Sequence, residues 1–384
     1  MKLNRTAHYA IYDQAFGNWK SEVQDRWVYD DFKRDPLYSK KWISITSLAY
    51  HEPSGAVYLG IGSFSAELLW KFDTATKQIT SCGYEKVAEP YDAKFHRSLE
   101  LDGDTLYAGA ALFHDLDKQF EAKGGRLVRY DIPTGRFTFL SRPCPPAYIQ
   151  SIALDRKRRI LYGFGAVPEV FFRHDLDTGK SRVIAYIGSG AEFCESHNPV
   201  LDREGRVWGT WGILRAFAYR TGQDSLRLFC YSPDEDRMTF FDHGLPNTGS
   251  PDDKSKPDTS VLGPDGSIYI GTEAGALIRL DPATARGELL CRPNPDSRRL
   301  PALAFQPGSG LLYGIAGEHY NTRLFAYDTA KNELLFAQDV VCGEDGQRPD
   351  RIHHMVFAGP NTIYAGENDN NDRSAYLWEL SLDG

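Results

Sequence analysis

Histidine is the side chain best suited to moving protons or binding a metal near neutral pH. Four of the ten in this chain recur at one kind of place, the opening of a predicted apolar strand. They are His96, His197 and the adjacent His353 and His354. Equivalent openings carry Arg97, Gln150, Asn198 and Asp258. Strands need nothing polar there for stability. His, Tyr and Arg gathered at one mouth suit β-elimination from a uronic-acid sugar. An arginine or a metal pairs with the carboxylate and stabilises charge as the α-proton leaves. One His or Tyr takes that proton and another donates to the departing oxygen.

His96, His114, Tyr148, His197 and Arg215 are of the residue types this chemistry needs and are the candidate catalytic groups. Arg97, Gln150, Arg173, Asn198, Arg220, Asp258, Glu318 and His353 are candidates for holding the substrate, an acidic oligo- or polysaccharide. His353 and His354 stand side by side at the start of one predicted strand. Adjacent strand residues point to opposite faces, so both can aim inward only if the strand bulges. Taken singly, a strand-start histidine is more often a hydrogen-bonded structural group, and Arg215 and Arg220 could simply decorate a surface loop. The argument rests on the group.

The elements that would position these residues follow a repeat. Seven β-runs end in an aromatic residue and a glycine, at Tyr58-Leu59-Gly60, Tyr107-Ala108-Gly109, Tyr162-Gly163, Trp208-Gly209, Tyr269-Ile270-Gly271, Tyr313-Gly314 and Tyr364-Ala365-Gly366. The spacing, about 45–60 residues, is that of propeller blades. Each mark follows an apolar run and precedes a third strand that often ends in a hydrophobic residue and Asp, as at Phe72-Asp73 and Tyr130-Asp131. The expected fold is therefore all-β, a seven-bladed propeller forming one domain over 1–384. Its blades span about 43–83, 94–141, 148–187, 194–243, 257–291, 299–338 and 350–381.

The last blade lacks a fourth strand, while His8-Tyr9-Ala10-Ile11-Tyr12 has no blade of its own. A propeller protects its edges by closing. Residues 7–13 are therefore expected to complete blade seven, with Gly17–Lys41 as a linker or cap. First strands line the channel, and long loops at blades two (Phe113–Gly125) and four (Ile213–Ser225) would wall its mouth.

The totals restrict partners. A net charge of −8 without a basic stripe argues against nucleic acid. No apolar stretch is long enough to span a membrane, and the N-terminus lacks a signal-peptide core. Secretion would require a leader absent from this sequence; otherwise a cytoplasmic monomer is expected. The six cysteines are scattered, with no CxxC pair, and read mostly as buried thiols.

With its His/Tyr/Arg mouth, the ring resembles the propeller-fold polysaccharide lyases, such as ulvan lyases and rhamnose–glucuronate lyases. That resemblance implies paired histidines, a tyrosine and arginines near the mouth, which His96, His114, Tyr148, Arg173, His197 and Arg215 could supply. Tyr162 competes with Tyr148, but its place in the repeat marks it as scaffold. Gln347, His353 and His354 resemble the His and Gln metal ligands of propeller lyases acting on oligogalacturonate, and that resemblance implies a divalent cation, calcium or manganese, on His353 and His354, with His197 as an extra ligand. Two other readings stay open. A glycoside hydrolase would need paired carboxylates, for which Glu169, Asp258, Glu273, Glu318 and Glu367 are candidates. A non-catalytic propeller would serve as a binding module.

Overall fold

In the computed structural model the described residues are 2–16, 29–118, 120–188, 197–212, 226–250, 253–370 and 372–383. Seven antiparallel sheets form the blades of a propeller. Their innermost strands are Ile43–His51, Leu99–Asp102, Tyr148–Asp155, Val200–Leu201, Pro257–Leu262, Ala302–Phe305 and Ile352–Phe357.

The repeated aromatics are scaffold. Tyr58, Tyr107, Tyr162, Trp208, Tyr269, Tyr313 and Tyr364 all lie on second strands and are buried. The glycines beside them let blades approach. A Cβ on Gly366 would stand 2.7 Å from Ile45 Cγ2 and 2.8 Å from its carbonyl oxygen, across the junction of blades seven and one. The third-strand aspartates close turns. Asp73 Oδ1 accepts from the amides of Ala75 and Thr76 at 3.0 and 2.8 Å, and Asp328 Oδ1 accepts from Ala330 and Lys331 at 3.0 Å each.

Ring closure comes from the N-terminus, but the strand starts earlier and ends sooner than the expected residues 7–13, with Ile11, Tyr12 and Asp13 lying past its end. Leu3–Ala10 pairs antiparallel with Tyr376–Leu382, from Leu3 opposite Leu382 to Ala10 opposite Tyr376. An outermost strand is half solvated, so its first half, Leu3-Asn4-Arg5-Thr6, carries little apolar signal. Leu3 and Thr6 are nevertheless buried.

The described part of the expected linker or cap, from residue 29, forms two short helices, Tyr29–Arg34 and Pro36–Lys41. Phe32 packs with Trp42 and Phe64, so this segment covers the loops of blades one and two. Among the described residues, no helix is long and apolar enough to cross a membrane. Five cysteines there are free thiols, of which Cys144, Cys230 and Cys342 are buried; Cys194 lies outside the described residues.

Four inner strands carry a register shift at the same height. It falls between Ile45 and Ser47, Ile149 and Ser151, Pro257 and Thr259, and Ile352 and His354. A bulge leaves one residue outside the ladder and re-aims it. The residues so released are Thr46, Gln150, Asp258 and His353, and all four enter the site.

Candidate functional site

His96, His197 and His353, from blades two, four and seven, converge on the channel axis. Their ring centroids are 4.7 Å apart for His96 and His353, and 5.6 Å apart for each other pair. One nitrogen from each ring lies within 4.8 Å of the other two.

Each ring is oriented from behind by a group that the bulges position. His96 Nδ1 lies 2.9 Å from the Gln150 carbonyl oxygen, and His353 Nδ1 lies 3.4 Å from that of Thr46. His197 Nδ1 is 2.6 Å from Asp258 Oδ1. Carbonyls and carboxylates only accept, so the neutral rings carry their proton on Nδ1. Each Nε2 then carries the lone pair. Backing of this kind is what metal-binding histidines have.

The electrostatics favour neutral rings. Burial pushes His96 and His353 well below the ordinary imidazole range, with nearby positive charge (Lys94 for His96, Arg97 for His353) adding to it. Burial lowers His197 to about 4, against the opposing pull of Asp258. Burial alone would raise the Asp258 carboxyl, but Arg299 and His197 hold it well below the usual carboxylate range. Arg299 grips it through Nε at 2.8 Å and Nη2 at 2.6 Å. Arg97 Nη2 stands 3.8 Å from the same carboxylate and donates to the Pro301 carbonyl at 2.6 Å. Arg97 and Arg299 both hold a left-handed backbone, with φ of 44° and 69°. Such conformations cost about 1–3 kcal/mol and gather at functional sites.

His354 takes a different part. Its Nδ1 accepts from the Leu48 amide at 3.2 Å, tying blade seven to blade one. It lines a channel cavity of about 190 Å3 with Ser47, Arg97, Glu100, Asn198 and Ser260. In that cavity burial raises the Glu100 carboxyl to about 7. Asn198 bridges blades four and five, donating to the Ser260 carbonyl at 3.0 Å and accepting from its amide at 3.1 Å.

Of the other residues singled out in the sequence, Tyr148 is half-buried and opens the blade-three inner strand, two positions before Gln150. His114 packs edge-on against Tyr91, with Nδ1 3.0 Å from the Asp115 carbonyl, beside the helical cap. Arg173 lies on the third strand of blade three, opposite Tyr162 and 3.9 Å from Asp175. Glu318 pairs with Arg351 at 2.7 Å. Arg215 and Arg220 lie outside the described residues.

Two participants escaped sequence reasoning. Arg299 stands one residue before the unremarkable Leu300-Pro301, and Lys94, also buried, stands two before His96. Their common signal is a cation just ahead of an inner strand.

No family model matches the sequence, and no curated protein matches it. Solved structures do share the fold. One is described as oligogalacturonate lyase in complex with manganese, at 12% identity and TM-score 0.58, covering 99% of both chains. Another is YCF48 bound to D1 peptide, at 11% identity and TM-score 0.56, covering 90% of this chain and 93% of that one. A third is the extracellular domain of the putative one-component system BT4673 from B. thetaiotaomicron. It has 14% identity and a TM-score of 0.58, over 88% of this chain and 38% of that one. The chain is a seven-bladed β-propeller. At these identities the likeness establishes the fold alone, and the structures that share it include an enzyme and a peptide-bound protein.

Proposed function

We propose that this propeller is a lyase that cleaves a uronic-acid-containing glycan by β-elimination, with His96, His197 and His353 holding a divalent cation at the channel mouth. The observation that carries this reading is the convergence of three neutral imidazoles, two buried and His197 partly so, each fixed from behind through Nδ1. A packed core gains nothing from such a cluster. Imidazole suits transition metals such as zinc better than calcium, which prefers oxygen.

When bound, the cation would supply positive charge for a uronate carboxylate and for the charge that builds as the α-proton leaves. Arg97 and Arg299 hold Asp258 ionised, and Asp258 keeps the His197 proton on Nδ1. With the three Nε2 lone pairs committed to the cation, the proton-transfer roles fall to other groups. Tyr148 is the proposed base, with Arg215 binding the carboxylate; His114 is the proposed acid.

A hydrolase would need a protonated carboxyl to act as general acid. Four of its candidate carboxylates are instead ion-paired: Asp258 with Arg299, Glu273 with Lys256, Glu318 with Arg351 and Glu367 with Arg373.

The test is incubation with oligogalacturonate, ulvan and other acidic glycans, with and without manganese after chelation. Ultraviolet absorbance from an unsaturated uronate is expected, dependent on the added metal. Reducing ends without that absorbance would move the assignment to a hydrolase. Tight binding without turnover would make the propeller a binding module.

A further inference from the structure

A second set of metal-ligand side chains lies away from the channel, where the ring closes. His8 belongs to the N-terminal closing strand and faces Trp378 in the ladder. Cys342 and Asp345 belong to the turn between the outer strand of blade six, Glu333–Asp339, and the inner strand of blade seven, Ile352–Phe357. One ligand atom from each of the three lies within 4.8 Å of the others. His8 Nε2 is 2.8 Å from Asp345 Oδ2.

Both halves of this set are held in place. The His8 ring stacks on Tyr376, with centroids 4.5 Å apart and planes 5° from parallel. The turn is closed by Gly346 donating to the Cys342 carbonyl and Cys342 to that of Gln347, each at 2.9 Å. The Gln347 amide donates to Asp345 Oδ1 at 3.0 Å. Together with hydrogen bonds from His8 and Cys342, that contact holds the Asp345 carboxyl down at about 2. Cys342 is buried, His8 partly so, and Asp345 opens the cluster to solvent.

We propose that His8, Cys342 and Asp345 bind a zinc-class divalent cation that clamps the closing strand to the turn between blades six and seven. Imidazole, thiolate and carboxylate are the donor types that zinc takes. Binding replaces the His8–Asp345 hydrogen bond with bonds to the metal, and the Cys342 thiol gives its proton to solvent. A water completes the coordination. A ligand that binds only the closed ring stabilises closure by mass action. The N-terminal strand is the one part of blade seven joined to it without continuous chain, so a clamp there acts at the weakest covalent point of the ring. This site is independent of the chemistry proposed for the channel, whose three ligands contain no sulfur.

That difference makes the test specific. Cobalt(II) bound by a thiolate gives a sulfur-to-metal charge-transfer band in the near ultraviolet, whereas cobalt on three histidines gives only visible d–d bands. Chelator-stripped full-length protein titrated with cobalt is expected to develop the charge-transfer band, and zinc is expected to abolish it. His8→Ala and Cys342→Ser should each remove the band while leaving the visible bands of the channel. Absence of the band in the unaltered protein, or its persistence in Cys342→Ser, overturns the proposal. Should Cys342→Ser not fold, His8→Ala decides alone, because loss of the band there supports the site and retention refutes it.

Discussion

His197 Nδ1 lies 2.6 Å from Asp258 Oδ1, and the same carboxylate is gripped on its other side by Arg299. The two residues are far apart in sequence and come from adjacent blades. Asp258 reaches His197 because the blade-five inner strand bulges there. The pair therefore joins a backbone irregularity to the tautomer of a candidate metal ligand.

Asp258→Asn should weaken metal binding by about 10–100-fold, the usual cost of losing an outer partner of a ligating histidine. It should also destabilise the fold by about 3–5 kcal/mol, because Arg299 and Arg97 lose their buried counter-charge. Manganese titration calorimetry and urea unfolding measure the two effects separately. An unchanged metal affinity would detach Asp258 from the proposed centre.

His96→Ala, His197→Ala and His353→Ala should each abolish stoichiometric manganese binding and any eliminative activity, while circular dichroism keeps its β signature. His354→Ala makes the contrast. Its metal binding should persist, while stability falls by about 1–3 kcal/mol because the Leu48 amide loses its acceptor. Metal loss in His354→Ala would mean that the ligand set is wrongly drawn.

Acid should weaken the fold in a defined window. An unfolded histidine takes up its proton near pH 6.5, whereas burial holds folded His197 at about 4, and His96 and His353 also well below their ordinary value. Between those values the unfolded chain binds more protons, so stability is full above about pH 6.5 and declines as pH falls toward 4. Asp258, depressed by Arg299, adds a further loss at lower pH. Urea midpoints across pH 4 to 8 check the sign, and added manganese should steepen the decline. A midpoint that rises on acidification would contradict neutral buried imidazoles.

Deleting residues 1–10 should expose the edge of Tyr376–Leu382 along its length. The truncated protein is expected to aggregate on concentration and to lose thermal stability. Light scattering and a melting curve test this directly. A monodisperse truncation of equal stability would mean that the N-terminal strand contributes little to closure.

The number of blades and the presence of a closing strand were legible because they rest on local signals, the aromatic–glycine beat and a blade one strand short. His96, His197 and His353 were legible as a group because register against that beat put them at one height. Arg299 was not, since the same register fell on Leu300-Pro301 and passed over the residue before them. Alternation put His353 and His354 on opposite faces without saying which one aims inward. The bulge separates them, sending His353 to the cluster and His354 to the Leu48 amide.

Sequence alone therefore determined what repeats: strand periodicity, buried aromatics and the polar residues that open the inner strands. These follow from alternation and spacing along one segment of chain. Only the tertiary structure decided which of those polar residues meet. That depends on how seven blades curve into a ring and where four inner strands bulge, and both are set by packing between segments hundreds of residues apart. Asp258 could be noticed as a polar strand-start residue; that it holds His197, and is itself held by Arg299, exists only in the closed ring.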